Sequence, residues 1–381
     1  MKILFISSWY PTSKNPNFGV FIKEHAHAIK DSGNEIVILA LVIHQSSDIY
    51  STKLTDVLDE ANVRTVILEI NTRFRDLIYH LVPFQLYLVK RLFKRKISPN
   101  FIPDIIHSNV IFPTGMIGDS LAKYLKKPHV ITEHWSRIKG LLDKPVLSGM
   151  AIHAYERANR ILPVSQFLTD TMTSILPTVA SSKYRIVGNV INSQLFYYKK
   201  KEPLKDYIRF CAVATWMNKK IPDKMPEIFI EALALLQKEI KQTIVLTLIG
   251  GGDKLDELRQ MCADRKLKAE LPGYQTKQEI ASYLQSTDYF VHASTIETFG
   301  VVVAESLFCG TPVICSNVGA LPELINDTNG VLCENTVESW LDGIKLAIST
   351  FYNHYSIAED IKTKFDLKNI GERINSVYKD M

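Results

Sequence analysis

Two carboxylates, Glu297 and Glu305, stand eight positions apart in the stretch STIETFGVVVAESLFCGTPVICSNVGALPE, Ser294 to Glu323. Glu297 sits in a short polar segment after the strand-like YFVHAS. Phe299 and Gly300 then open an apolar run, Val301 to Cys309, that reads as a helix. Gly310 stops that helix, and Pro312 prevents its resumption before the next strand, VICS. Gly300 and the amides of Val301, Val302 and Val303 are then a helix N-terminus facing the carboxyl end of a strand. Such a terminus suits an anion such as a diphosphate, and a bulkier residue at Gly300 would hold the anion off.

Paired catalytic carboxyls of a glycosidase lie roughly 5 to 10 Å apart across one sugar. Glu297 and Glu305 do not fit that use. They are better placed to hold different hydroxyl groups of one elongated ligand with the diphosphate between them, which is the shape of a nucleotide sugar. The alternative is an ordinary strand, loop and helix with Glu305 on an exposed face. Against it, Glu305 lies among Val303, Ala304, Leu307 and Phe308, where an ionised side chain is costly to bury without a partner.

The elements that must position these groups follow from the rest of the chain. Its 381 residues are too many for one typical core, so two domains are expected, and 46% hydrophobic residues without a low-complexity tract describe a folded protein. KILFIS, EIVILALVI, TVILEI, DIIHSN, HVITEH and RILPVS read as short apolar strands, separated by helical segments such as Phe21 to Asp31. Strands alternating with helices imply a doubly wound parallel sheet with ligands at the strands' carboxyl ends. The opening MKILFISSWYP reads as a first buried strand rather than a secretory signal, and no run of about eighteen apolar residues suggests a spanning helix. Five cysteines, all in the second half and without CxxC spacing, argue for reduced thiols in cytoplasm and against zinc or a disulfide framework.

Other residues with chemical potential fall after these strands. No GxGxxG or GxxxxGK[ST] follows the first strand, which disfavours a dinucleotide oxidoreductase or a phosphate-loop NTPase. Gly19 instead lies at a helix entrance, where its amide could approach a phosphate; a plain loop glycine is the alternative. Glu133, His134, Trp135 and Ser136 follow HVIT, with His107 and Ser165 as weaker candidates by the same positional argument. Gly250-Gly251-Gly252 ends another strand, where the backbone can approach a ligand or simply turn tightly.

Residues 73 to 101 differ from the rest. Large apolar and aromatic side chains alternate with Arg73, Arg75, Lys90, Arg91, Lys94, Arg95 and Lys96, opposed only by Asp76. This suits the interface of an anionic membrane; an ordinary helix with a solvated basic edge is the alternative. Nucleic acid is not expected, since no recognised binding module accompanies the patch.

ETFGVVVAESLFCGTPVICSNVGALPELI resembles the signature of the retaining glycosyltransferases of the GT-B fold that carry Glu, seven residues, then Glu. The resemblance implies two doubly wound Rossmann-like α/β domains facing a cleft. It places residues 1–200 on the acceptor side, joined by a terminal helix at about 366–381, and the nucleotide-sugar domain at 201–365. The exposed Lys199 to Lys201 with Pro203 read as the linker. The resemblance gives Glu305 the ribose hydroxyls, Glu297 the sugar hydroxyls, and Phe299, Gly300 and Val301 the sugar and diphosphate. It turns His134 toward the transferred sugar, with Glu133 able to orient the imidazole and Trp135 to shape the acceptor side, and brings Gly19 to the phosphate.

An arginine and a lysine usually meet the diphosphate in this family. Here Thr215 stands at the arginine's place, and Lys224 aligns best with the lysine, with Lys219 and Lys220 close enough to substitute. Gly251 and Tyr274 fall in segments that approach the donor, the latter lining the base pocket. No DxD motif follows a predicted strand, so no metal or cofactor is expected beyond a UDP- or GDP-linked donor. The expected partner is a carbohydrate or lipid-linked acceptor at the inner face of a membrane. The rival readings are a nucleotide-sugar epimerase or hydrolase, and a non-catalytic membrane-docked scaffold with a decayed site, which Thr215 and the single loop glycine favour.

Overall fold

A computed structural model of the chain describes residues 1–201, 206–219 and 223–381. The described residues form two compact units. Met1–Val190 with Leu367–Met381 make the first, and Ile191–Asp366 the second.

In the first unit, apolar runs become the strands β1 (Lys2–Ser7), β2 (Glu35–Gln45), β3 (Ser51–Leu58), β4 (Arg64–Thr72), β5 (Ile105–Asn109), β6 (His129–Glu133) and β7 (Arg160–Pro163). They lie in the order β3-β4-β2-β1-β5-β6-β7, parallel throughout except β3 against β4. Strands β1, β2 and β5 are buried along nearly their whole length, as continuous apolar strands of a parallel sheet should be. STKLTDVL, which forms β3, was not among the expected strands. It is an edge with almost every residue exposed, so it lacks the buried face that writes a pattern into a sequence.

The second unit carries β8 (Tyr207–Val213), β9 (Thr243–Ile249), β10 (Lys268–Gly273), β11 (Tyr289–His292), β12 (Val313–Ser316) and β13 (Gly330–Cys333). They form an all-parallel sheet in the order β10-β9-β8-β11-β12-β13. Strand order reverses between β8 and β11, and the corresponding point in the first sheet lies between β1 and β5. In open α/β sheets the crevice at the carboxyl ends of such a pair is where ligands bind.

The division between the units comes at Val190–Ile191, ten residues before the expected 200. Burial explains the displacement. Phe196 is in the core of the second unit, and Lys201, expected in an exposed linker, directs its ammonium to the Thr287 carbonyl and the Thr311 hydroxyl. Burial lowers the pKa of Lys201 to about 8. Pro203 lies outside the described residues. At the other crossing, the Ile191 N–H donates to Phe365 C=O (2.9 Å), and the following helix, Leu367–Lys379, belongs to the first unit. There Gly371 packs so closely on the helix Val20–Asp31 that a Cβ would lie 2.3 Å from the Ala28 carbonyl oxygen.

Candidate functional site

The loops after β8 and β11 meet because the first returns to pair with the second. Met225 N–H donates to Ala293 C=O (3.1 Å) and Thr295 N–H to Asp223 C=O (3.1 Å), so Lys224 is held between two backbone bonds. Its ammonium is thereby delivered to the Glu297 carboxylate, with which it forms an ion pair. His292, the last residue of β11, completes the group: Nε2 lies 2.8 Å from Glu297 Oε1 and 3.3 Å from Lys224 Nζ.

Burial alone would raise the Glu297 carboxyl. The Lys224 ammonium and the His292 ring more than offset it and hold Glu297 well below the usual carboxylate range. Burial and then the same ammonium lower the pKa of His292, so the ring is neutral at physiological pH. The backbone of Glu297 is fixed in turn by Gly319, where a Cβ would lie 2.1 Å from the Glu297 carbonyl oxygen, and by Ala320 N–H donating to that oxygen (2.9 Å).

Three residues later Gly300 takes a left-handed conformation (φ 88°, ψ 56°) and starts the helix Val301–Phe308. Glu305, in the second turn, is buried and ion-paired with Lys277, the first residue of the helix Lys277–Ser286. A capping box places that lysine: Thr276 Oγ1 accepts from Glu279 N–H (3.2 Å), and Glu279 Oε2 accepts from Thr276 N–H (2.7 Å). Phe299 does not present its ring as a sugar-lining residue should. It is 3% exposed and packs edge-on against Phe365 at 5.1 Å, because an apolar ring at a helix entrance is more stable in the core, leaving only its backbone to a ligand.

Gly251 and Tyr274 are brought together. The Tyr274 ring lies over Gly251, where a Cβ would be 2.0 Å from Tyr274 Cε2, while the residue as a whole remains 66% exposed. Beside them, at the ends of β8 and β9, Thr215, Trp216, Lys219, Asp223, Lys224 and Lys254 line a recess of about 180 Å³. Lys219 pairs with Asp223 and Lys254 with Glu227. Lys220 lies outside the described residues.

Gly19 and His134 belong to the first unit. Gly19 (φ 74°) opens the helix Val20–Asp31, and a Cβ there would lie 2.4 Å from the Trp9 carbonyl oxygen, so this glycine lets the loop after β1 fold onto itself. The helix sets Phe21 and His25 against the His134 ring at 4.9 and 5.4 Å. Burial, together with the neighbouring His25 and His107, keeps the His134 imidazole neutral.

Glu133 was expected to orient that imidazole. Instead its buried carboxylate accepts from the backbone N–H groups of His134 (3.0 Å), Trp135 (2.9 Å) and Ile111 (2.9 Å) and from the Tyr155 hydroxyl (2.8 Å). It fixes the loop carrying His134 rather than the ring. His107 is fully buried between Tyr378 and Thr132 (2.7 Å to the latter), and Ser165 caps the helix Gln166–Ile175. Both have structural roles. His292, Lys277 and Lys254 escaped the sequence reading, although Lys254 stands three residues after Gly251, Lys277 three after Tyr274, and His292 five before Glu297.

The comparisons agree with this architecture. The family described as Glycosyltransferase Family 4 matches residues 19–195, and that described as Glycosyl transferases group 1 matches residues 213–356. An uncharacterized glycosyltransferase of Methanocaldococcus jannaschii is 29% identical over 63% of this chain, which spans 64% of that relative. The putative teichuronic acid biosynthesis glycosyltransferase TuaC of Bacillus subtilis is 26% identical over 85% of this chain and 83% of its own length. Among solved structures, HepE of Anabaena in complex with UDP is similar over the whole of both chains, with a TM-score of 0.71 at 17% identity, which supports the GT-B fold. With one family model on each half, the chain belongs to the group 1 glycosyltransferases.

Proposed function

We propose that the protein transfers a sugar from a nucleoside diphosphate donor, UDP- or GDP-linked, to a hydroxyl acceptor with retention of configuration. The observation that carries this reading is the group Lys224, Glu297 and His292 at the reversal of the second sheet, followed directly by the helix that Gly300 opens. An ionised Glu297 can accept from sugar hydroxyls, and the first-turn amides and Lys224 can take the charge that grows on the diphosphate as the sugar leaves. Glu305 accepts from the ribose hydroxyls, and Gly251 with Tyr274 borders the base.

In this scheme the bond from the anomeric carbon to the diphosphate breaks and a bond to the acceptor oxygen forms on the same face. The acceptor proton passes to the departing phosphate oxygen. Lysines supply the positive charge, so no metal is required. HepE was solved with UDP, and TuaC is named for teichuronic acid biosynthesis, which favours a polysaccharide or glycolipid product. Calorimetry of UDP, GDP and ADP with the wild type and Glu305→Ala tests the donor site. Selective binding weakened by the substitution supports the reading, and no binding to any of them refutes it. The anomeric configuration of the product, read by NMR, tests retention.

A lipid-linked acceptor is favoured by a second observation. Within residues 73–101, the helices Arg75–His80 and Val82–Leu92 and the turn after them leave Phe74, Leu77, Leu81 and Tyr87 exposed beside Arg73, Arg91 and Lys94 to Lys96. Among the described residues no helix is long and apolar enough to cross a membrane. Docking on the anionic inner face is the proposal, and absence of flotation with anionic vesicles would remove it.

A further inference from the structure

We infer that Lys254 is the second cation for the donor diphosphate, acting from the loop after β9 beside a loop that has Thr215 at the place where the resemblance would put an arginine. The inference rests on the donor reading above. A departing nucleoside diphosphate gains negative charge, and Lys224 is already engaged by Glu297. Lys219, which lines the same recess, is 43% exposed along its side chain and paired with Asp223. Lys254 is of a different kind: the whole residue is only 8% exposed, yet it borders the same recess as Thr215, Lys219 and Lys224.

The three glycines explain how it gets there. A Cβ at Gly250 would lie 1.8 Å from the Ala214 carbonyl oxygen, and one at Gly252 1.8 Å from that of Trp216. Without side chains, the loop after β9 therefore lies directly on the loop after β8. Asn218 N–H then donates to Asp253 Oδ1 (2.7 Å), and Lys254 N–H to Trp216 C=O (3.1 Å). Lys254 is thus locked to the same loop that begins with Thr215.

Burying an ammonium is unfavourable unless a partner compensates. Here the partner is Glu227, in the first turn of the helix Pro226–Gln237, whose side chain is 38% exposed against 10% for the lysine. The lysine is held and the carboxylate is comparatively free. An arriving phosphate oxygen can replace Glu227 at the ammonium while the glutamate turns to solvent and keeps its favourable place at a helix N-terminus.

Calorimetry on the full chain tests this with UDP, GDP, inorganic pyrophosphate, uridine and guanosine. Lys254→Met should weaken the diphosphates about tenfold or more, each tenfold being about 1.4 kcal/mol, and leave the nucleosides unchanged. Thr215→Arg added to Lys254→Met should recover part of the loss, which a purely structural lysine would not allow. Glu227→Gln, which keeps the lysine, should tighten diphosphate binding. Wild-type affinity for diphosphates in Lys254→Met, or weaker binding in Glu227→Gln, would overturn the inference while leaving the donor reading intact. A wild type that binds neither diphosphates nor nucleosides would overturn both.

Discussion

Replacing Lys224 with methionine keeps the length of the side chain and removes its charge, leaving Glu297 beside His292 alone. The pair is partly buried, with side-chain exposures of 25% and 16%. Exposed pairs contribute about 0 to 1 kcal/mol, whereas removing one partner of a fully buried pair costs about 3 to 5. A loss of about 2 kcal/mol is expected here, which for a unit of this size is a fall of roughly 4 to 8 °C in melting temperature. Lys224→Met/Glu297→Gln removes both charges together and should recover at least half of that loss. Thermal melts of wild type, both single variants and the double variant give the coupling directly. A coupling below about 0.5 kcal/mol would show that the pair does not organise the site. The pH dependence has a defined sign. Because the folded carboxyl is held below its ordinary value of 4.5, its stabilisation is present above pH 4.5 and is lost as pH falls further toward the folded value. In Lys224→Met this acid-labile contribution should largely vanish.

Gly319→Ala should destabilise the second unit by roughly 1 to 3 kcal/mol, since φ is +57° and the new methyl would meet backbone at 2.1 Å; donor binding in calorimetry should fall with it. Unchanged binding would show that the close approach does not position Glu297. In the first unit, burial keeps His25 and His129 neutral, with pKa values lowered to about 4 and about 3 from 6.5. The unfolded chain takes up these protons first, so melting temperature should fall as pH drops below 6.5, and His25→Asn should flatten that slope. Transfer activity should persist in excess EDTA, and its loss there, restored by a divalent cation, would refute lysine-only charge compensation. Reversal of Arg91, Lys94, Arg95 and Lys96 to glutamate should abolish flotation with anionic vesicles and leave donor binding unchanged.

How much of this was legible in the sequence depends on whether a feature is local. The cassette from Glu297 to Gly310 is one strand end, one loop and one helix, so its glycines and apolar run mark its boundaries without reference to the rest of the chain. The buried strands announce themselves for the same reason, while β3, an exposed edge, has no apolar face to read. The division at Val190–Ile191 was misplaced because Lys201 looks like a linker residue by type and is anchored by contacts with Thr287 and Thr311, which are distant in sequence.

The partners of the two central carboxylates are of this distant kind. Lys224 meets Glu297 across 73 positions and Lys277 meets Glu305 across 28, so neither pairing has a spacing to be read. What determines the first is the sheet order: β8 and β11 are neighbours although two strands intervene in sequence, and their following loops must therefore converge. Given that order, the loop after β8 returns along Ala293 to Thr295 and has only one lysine, Lys224, at the crossing. A carboxylate at the end of β11 then acquires a cation without any local motif. This also explains why a neutral Thr215 is compatible with the family's fold: charge at this crevice is assembled by whichever loops the sheet order brings together, and the loop after β9 is one of them.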